Sequence, residues 1–359
     1  MSCGSAGNCA AGGDYFDHGG EQVFVAVERD GRWGTAVEVP GLAALNNPGG
    51  AEVTSVSCGS AGSCAAGGVY TDGDRHRHGF VADERHGAWG TAIGVPGLRA
   101  LSRYSEVFSV SCGSAGNCAA GGKYAAGGGW RGFVADERNG RWGTAVEVPG
   151  LAALHKRGGD ATVFSVSCAS AGNCAAGGSY HRGHHHQGFV ADERNGRWGT
   201  AIEVPGLAAL NTGGQAIVNA VSCASAGSCA AGGDYTDGGH ELQGFVAVER
   251  DGRWGTAIEV PGLGALNTGG IAEVVSVSCG SAGSCAAGGY YDARREGGFV
   301  AVERHGRWGT AIPRAPSSTR CRAPPAGATA TSTGTVRDSW PSSAAAPGAR
   351  RSRCPAWVP

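Results

Sequence analysis

The chain has 359 residues, 67 of them glycine and 14 proline, with 16% charged residues and a formal net charge of −1. So small a net charge excludes a general electrostatic drive toward nucleic acid or anionic membranes, and no apolar run approaches the ~18 residues of a membrane span. The glycines follow no G-X-Y period, which excludes collagen, and Met1 to Gly7 lack the basic and apolar regions of a signal peptide.

Self-similarity organises everything between residues 1 and 312. The string S-C-[GA]-S-A-G-[NS]-C-A-A-G-G occurs six times, with first cysteines at Cys3, Cys58, Cys112, Cys168, Cys223 and Cys279. W-G-T-A-[VI] follows in each copy, at Trp33, Trp89, Trp142, Trp198, Trp254 and Trp308. The period is about 55 residues, that of an array of one supersecondary unit. The third copy reads in order as four strands. Val107 to Cys112 alternates as a half-buried strand does, Gly113 to Gly116 turns the chain, and Cys118 to Tyr124 is the second strand. After a variable Gly-rich loop, Gly132 to Arg138 is the third strand. Asn139-Gly140 is a type I′ hairpin signal, because both central residues need φ > 0. Trp142 to Val148 is the fourth strand, ended by Pro149-Gly150. Only the short L-A-A-L piece has room for a helical turn.

Four short antiparallel strands per repeat predict an all-β fold, a β-propeller of six recognisable four-stranded blades. A β-solenoid is the competing architecture, but its coils are shorter and carry no hairpin signal at every turn. Each blade must bury its faces against its neighbours, since one sheet cannot cover both alone.

Both ends depart from the repeat. Met1 stands where Val56, Val110, Val166, Val221 and Val277 stand in the other copies. It is expected to be an internal valine read as a start, leaving the first blade without its innermost strand. Residues 313–359 turn Pro/Ala/Ser/Arg-rich and are expected to be a disordered, frameshifted remnant of a seventh repeat. One base out of register and with freely chosen third bases, Arg337 to Pro359 can spell G-L-V-A-V-E-R-G-G-T-W-G-T-A-I-E-V-P-G-L-G-T, the third and fourth strands of the repeat. Cys321 and Cys354 then have no designed partner.

The turn E-R-[DNH]-G-x-W-G-T resembles the Asp-box of BNR or sialidase-type propellers, with Glu28-Arg29-Asp30-Gly31-Arg32-Trp33 the closest copy. Over residues 1–312 the unit also resembles the cysteine-punctuated repeats of uncharacterised actinobacterial propeller proteins. Sialidases of that fold need a central arginine cluster and a tyrosine nucleophile. No such non-repeating set stands out, so no catalytic residue is carried over.

The C-x₅-C pairs do not fit zinc-ribbon spacing. At the ends of two hairpin-paired strands the cysteines face each other at a Cα separation of about 4.5 Å, within disulfide range. The expected bridges are Cys3–Cys9, Cys58–Cys64, Cys112–Cys118, Cys168–Cys174, Cys223–Cys229 and Cys279–Cys285, with buried reduced cysteines in a cytosolic protein as the alternative. Such pairs favour an oxidising compartment, outside the cell or on its surface.

Eight of the eleven histidines fall in the variable loop between the second and third strands: His18, His76, His78, His181, His184, His185, His186 and His240. His181, His184, His185 and His186 are candidate ligands for an adventitious transition metal, against a solvated polar loop as the simpler reading. Tyr15, Tyr70, Tyr124, Tyr180, Tyr235 and Tyr290 adjoin these loops, with stacking on sugar rings weighed against blade packing. Asp234 to Gly238 has the look of a calcium loop but lacks the later Glu. Glu28, Glu84, Glu137, Glu193, Glu249 and Glu303 each precede an arginine, and a residue used identically six times reads as structural, through cross-strand or inter-blade ion pairs.

The expectation is a non-catalytic, monomeric, secreted or surface propeller that needs no cofactor and does not insert into membranes or bind nucleic acid. Its partner is a polysaccharide or a surface protein, met by the variable loops on one face. The alternatives are a glycoside hydrolase or lyase whose catalytic part is missing, and a non-functional gene fragment.

Overall fold

The computed structural model describes residues 1–17, 20–46, 50–155 and 159–314. The expectations for His18, Cys321, Cys354 and the segment from 315 to 359 lie outside these residues. Within them are six antiparallel sheets of one design, at residues 2–38, 51–94, 105–147, 161–203, 216–259 and 272–314, here blades 1 to 6. No helix among the described residues is long and apolar enough to cross a membrane.

Blade 3 shows the plan. Its first strand is Ser105–Ser114, its second Asn117–Ala126 and its third Gly129–Arg138. The hairpin residues Asn139 and Gly140 have φ of 48° and 78°, the left-handed pair that a type I′ turn requires. The fourth strand, expected to be continuous, is instead two pieces, Arg141–Trp142 and Val146–Glu147, both paired with the third. The interruption has a physical cause. Ala145 turns its N–H out of the sheet and donates it to Pro96 O in the connection leaving blade 2, at 2.8 Å. Ala92, Ala201, Ala257 and Ala311 do the same to Pro40, Pro149, Pro205 and Pro261, each at 2.7 Å. The L-A-A-L piece makes its single helical turn, Leu151–Leu154, with Leu151 buried. In blade 1 the innermost strand, expected to be missing, is present as Ser2–Ser5, four residues against ten in blade 3.

The repeated motif is explained by blade-to-blade packing. Five apolar clusters lie between successive blades. Burial in them contributes about 1.5–3 kcal/mol for each Val, Leu or Phe side chain. The second strand presents small residues so that the next blade's valines can seat: a Cβ at Gly121 would lie 2.6 Å from both Val163 Cγ1 and Val166 Cγ2. The adjoining Gly122 has no room for a side chain either, because the register shift between Val107 and Ser109 sets the Glu106 carbonyl against it. Serines of V-S-C lace the inner strands together. The Oγ of Ser57, Ser111, Ser167 and Ser222 accepts the Cys N–H of the next blade (Cys112, Cys168, Cys223 and Cys279) at 2.9–3.0 Å. All six expected disulfides are formed, between Cα atoms 3.8–4.0 Å apart at directly opposed register positions.

The outward face of blade 6 is different. Val300 is 44% exposed, whereas its equivalents Val25, Val81, Val134, Val190 and Val246 are all 0% exposed beneath the following blade.

Candidate functional site

The Glu-Arg dipeptides pair between blades. Arg85 meets Glu137 at 3.1 Å, Arg138 meets Glu193 at 3.0 Å, Arg194 meets Glu249 at 2.6 Å and Arg250 meets Glu303 at 3.1 Å. These are not surface pairs, because the glutamates are buried while the arginines reach them from solvent. At three interfaces an aspartate completes the set. Trp142 Nε1 donates to Asp83 at 2.9 Å, Trp198 Nε1 to Asp136 at 2.9 Å and Trp254 Nε1 to Asp192 at 3.0 Å. Burial, then the neighbouring aspartate, pushes Glu137, Glu193 and Glu249 up to about 7, against the opposing pull of the arginine.

The two remaining interfaces break this pattern. Where blades 2, 3 and 4 carry F-V-A-D-E-R, blades 1 and 5 carry F-V-A-V-E-R, so Val27 and Val248 replace the aspartate. The indole nitrogens that would meet it, Trp89 Nε1 and Trp308 Nε1, are buried with no hydrogen-bond partner, and so are both carboxylate oxygens of Glu84. Clefts open at the same two places. That between blades 1 and 2 holds about 660 Å³ and that between blades 5 and 6 about 510 Å³, within the range of about 300–1,000 Å³ used by small ligands. The first is walled by Arg29, Arg32, Trp33, Val37 and Trp89, with Trp33 47% exposed. The second is walled by Arg250, Arg253, Ile258, Arg307 and Trp308. Each combines aliphatic floor, indole surface and two or more guanidinium groups. Such a lining suits a ligand with an apolar face and peripheral oxygens, preferably anionic, since guanidinium recognises carboxylate and sulfate-like groups by paired N–H donors.

The anticipated site residues lie elsewhere. Tyr70, Tyr124, Tyr180 and Tyr235 are buried in the blade interfaces, so these four rings pack the core rather than offering a stacking surface. Tyr124, Tyr180 and Tyr235 donate their hydroxyls to Glu147, Glu203 and Glu259. Burial raises the Tyr180 and Tyr235 phenols further above their ordinary range, as do these glutamates. Tyr15 is exposed. Tyr290 does not belong with the others: the residue opposite Ala272, as Tyr235 is opposite Ala216, is Tyr291. Tyr290 sits one position earlier, on the other face of the strand, where its bond with Glu273 and then burial raise its phenol to about 12.

The variable loops meet the inter-blade connections, as expected. Thr71 N–H reaches Gly50 O, His181 N–H reaches Asp160 O and Thr236 N–H reaches Gln215 O, at 2.7–3.0 Å. His181 and His186 face each other across their strands with ring nitrogens touching. Burial, then His181, lowers the affinity of His186 for a proton. His184 and His185 are exposed at the turn. In the calcium-like stretch Asp234 turns away to Asn219 at 2.8 Å, while Asp237 caps its own loop by accepting the N–H groups of Gly239 and Glu241 at 2.8 and 3.1 Å. The two acids do not converge.

No family model matches the chain, and no curated protein does. Solved structures do. The polysaccharide lyase Uly1 aligns over 86% of this chain and 80% of its own at 8% identity, with a TM-score of 0.55. An ulvan lyase of polysaccharide lyase family PL25 aligns over 87% of this chain and 81% of its own at 9% identity, with a TM-score of 0.53. The fold is a β-propeller. At such identities the likeness extends to the propeller architecture and no further. The signal for the clefts was present in the sequence as the exchange of D for V before E-R, which only the inter-blade geometry turns into a site.

Proposed function

We propose that this propeller is a non-catalytic binding protein for acidic polysaccharides, held in an oxidising environment outside the cell, and that its two Val-for-Asp clefts are the saccharide sites. One observation carries the reading: clefts lined by tryptophan and arginine occur at the two interfaces where the aspartate is lost. An indole face takes the apolar side of a pyranose ring, and the flanking guanidinium groups take carboxylate or sulfate oxygens. The six disulfides suit the oxidising compartment. Polysaccharide lyases among the structures that share the fold are compatible with a carbohydrate partner. The glutamates with raised proton affinity recur identically at three interfaces, which suits a structural role better than a single catalytic centre.

The test installs the missing aspartate. Val27→Asp together with Val248→Asp gives Trp89 and Trp308 the partner their equivalents have, and places a carboxylate in the lining of both clefts. Glycan-array and calorimetric binding to uronate-bearing or sulfated polysaccharides is expected for the parent protein and to fall at least tenfold in the double variant. Unchanged binding in that variant, or no binding by the parent, overturns the reading.

A further inference from the structure

The loop of blade 2 between its second and third strands holds a cluster that the clefts do not involve. Asp72, His76 and His78 each aim a ligand atom at one space, all within 4.8 Å of one another. His78 Nε2 lies 3.0 Å from Asp72 Oδ2, and His76 Nδ1 lies 3.7 Å from Asp72 Oδ1. Both imidazoles thus lie within reach of one carboxylate, and donors on a tetrahedral zinc with bonds of about 2.0–2.1 Å stand roughly 3.3 Å apart, so the set closes on an ion by small side-chain rotations.

Blade 5 supplies the internal comparison. Its loop has the same length and the same turn: Asp237 N–H bonds to Glu241 O as Asp72 N–H bonds to His76 O, both at 2.9 Å. His240 and Arg75 both have positive φ, 63° and 64°. An aspartate that caps this turn is therefore a structural part of the loop. What differs is chemistry. Blade 5 places Glu241 and Gln243 where blade 2 places His76 and His78. The turn needs no imidazole, yet blade 2 has two, and both face the capping carboxylate.

Around the cluster the carboxylate is held in place, while one cation, Arg99, competes for it. Asp72 Oδ1 accepts the N–H groups of Asp74 and His76 at 3.0 and 2.9 Å, which fixes the carboxylate, the kind of support that orients metal ligands. His78 is buried, with the Tyr70 ring 5.5 Å away. Arg99 reaches Asp72 at 3.6 Å from solvent, its side chain 72% exposed, a screened pairing that contributes little. The cluster opens onto a cleft of about 420 Å³ that Arg99, Ser102 and Arg103 line.

We infer that Asp72, His76 and His78 form a binding site for a divalent transition metal of the zinc class, with two imidazoles, one carboxylate and an open fourth position facing the cleft. This site is separate from the His181–His186 pair of blade 4. In the full chain, calorimetric titration with Zn²⁺ is expected to find one equivalent that His76→Ala and His78→Gln each weaken at least tenfold. His78→Gln keeps the fold, since blade 5 carries glutamine at this register, and circular dichroism checks it. Co²⁺ is expected to give visible ligand-field bands that both variants lose and that His181→Ala with His186→Ala retains. No Zn²⁺ binding, binding indifferent to His76 and His78, or loss on changing only His181 and His186 each overturns the inference.

Discussion

Asp83, Asp136 and Asp192 each bind a tryptophan of the next blade and an arginine of their own, and each crowds a buried glutamate. A pH dependence follows. Glu137, Glu193 and Glu249 hold their protons more tightly folded, at about 7, than at the ordinary 4.5. Between these values the native state carries more protons than the unfolded chain, so stability falls as pH rises through the window. Thermal midpoints measured from pH 4.5 to 7.5 are expected to decline with pH, and replacing all three glutamates by glutamine is expected to flatten that slope. The sequence made the Glu-Arg repeat legible as ion pairing. It left burial unread, because burial depends on which strand edge meets the neighbouring blade. Val27 and Val248 were equally visible, but hydrophobic alternation alone gives a valine in a strand no meaning beyond packing.

Among elements, the strand order and the type I′ hairpins were legible because turn chemistry and two-residue alternation are local. The break in the fourth strand was not, since the bond that causes it runs from Ala145 to Pro96 in another blade. Tyr70, Tyr124, Tyr180 and Tyr235 lie in the core, which the sequence left open for a related reason: adjacency in sequence to a variable loop does not say which face of the strand a ring takes. The serines of V-S-C allow a matched test of inter-blade lacing. Ser111→Ala removes the acceptor for Cys168 N–H and is expected to lower stability by about 1 kcal/mol. Ser278→Ala, at the same position on the uncovered face of blade 6, is expected to change it by a few tenths of that. Equal losses in denaturant titrations would show that the hydroxyls act within a blade.

At the scale of the whole array, each blade depends on its neighbours, so stability is a sum of blade terms and interface terms. Val246 and Val300 occupy one position under two conditions, fully covered and 44% exposed. Val246→Ala is expected to cost about 2 kcal/mol from lost burial and the cavity left behind, and Val300→Ala far less, as urea midpoints would report. Loops were the part of the plan least open to sequence reading, because which side chains converge, as Asp72, His76 and His78 do, depends on the backbone path of the turn. The disulfides have a mechanical consequence. Among the described residues every bridge joins residues six apart within one hairpin, so apart from the running chain no covalent link there crosses from blade to blade. Pulling on the chain ends can therefore separate blades without breaking a disulfide, and each bridge holds closed only the short loop between its own two cysteines. Reduction would add the length of those loops to the extensible chain and leave the contacts between blades as they are.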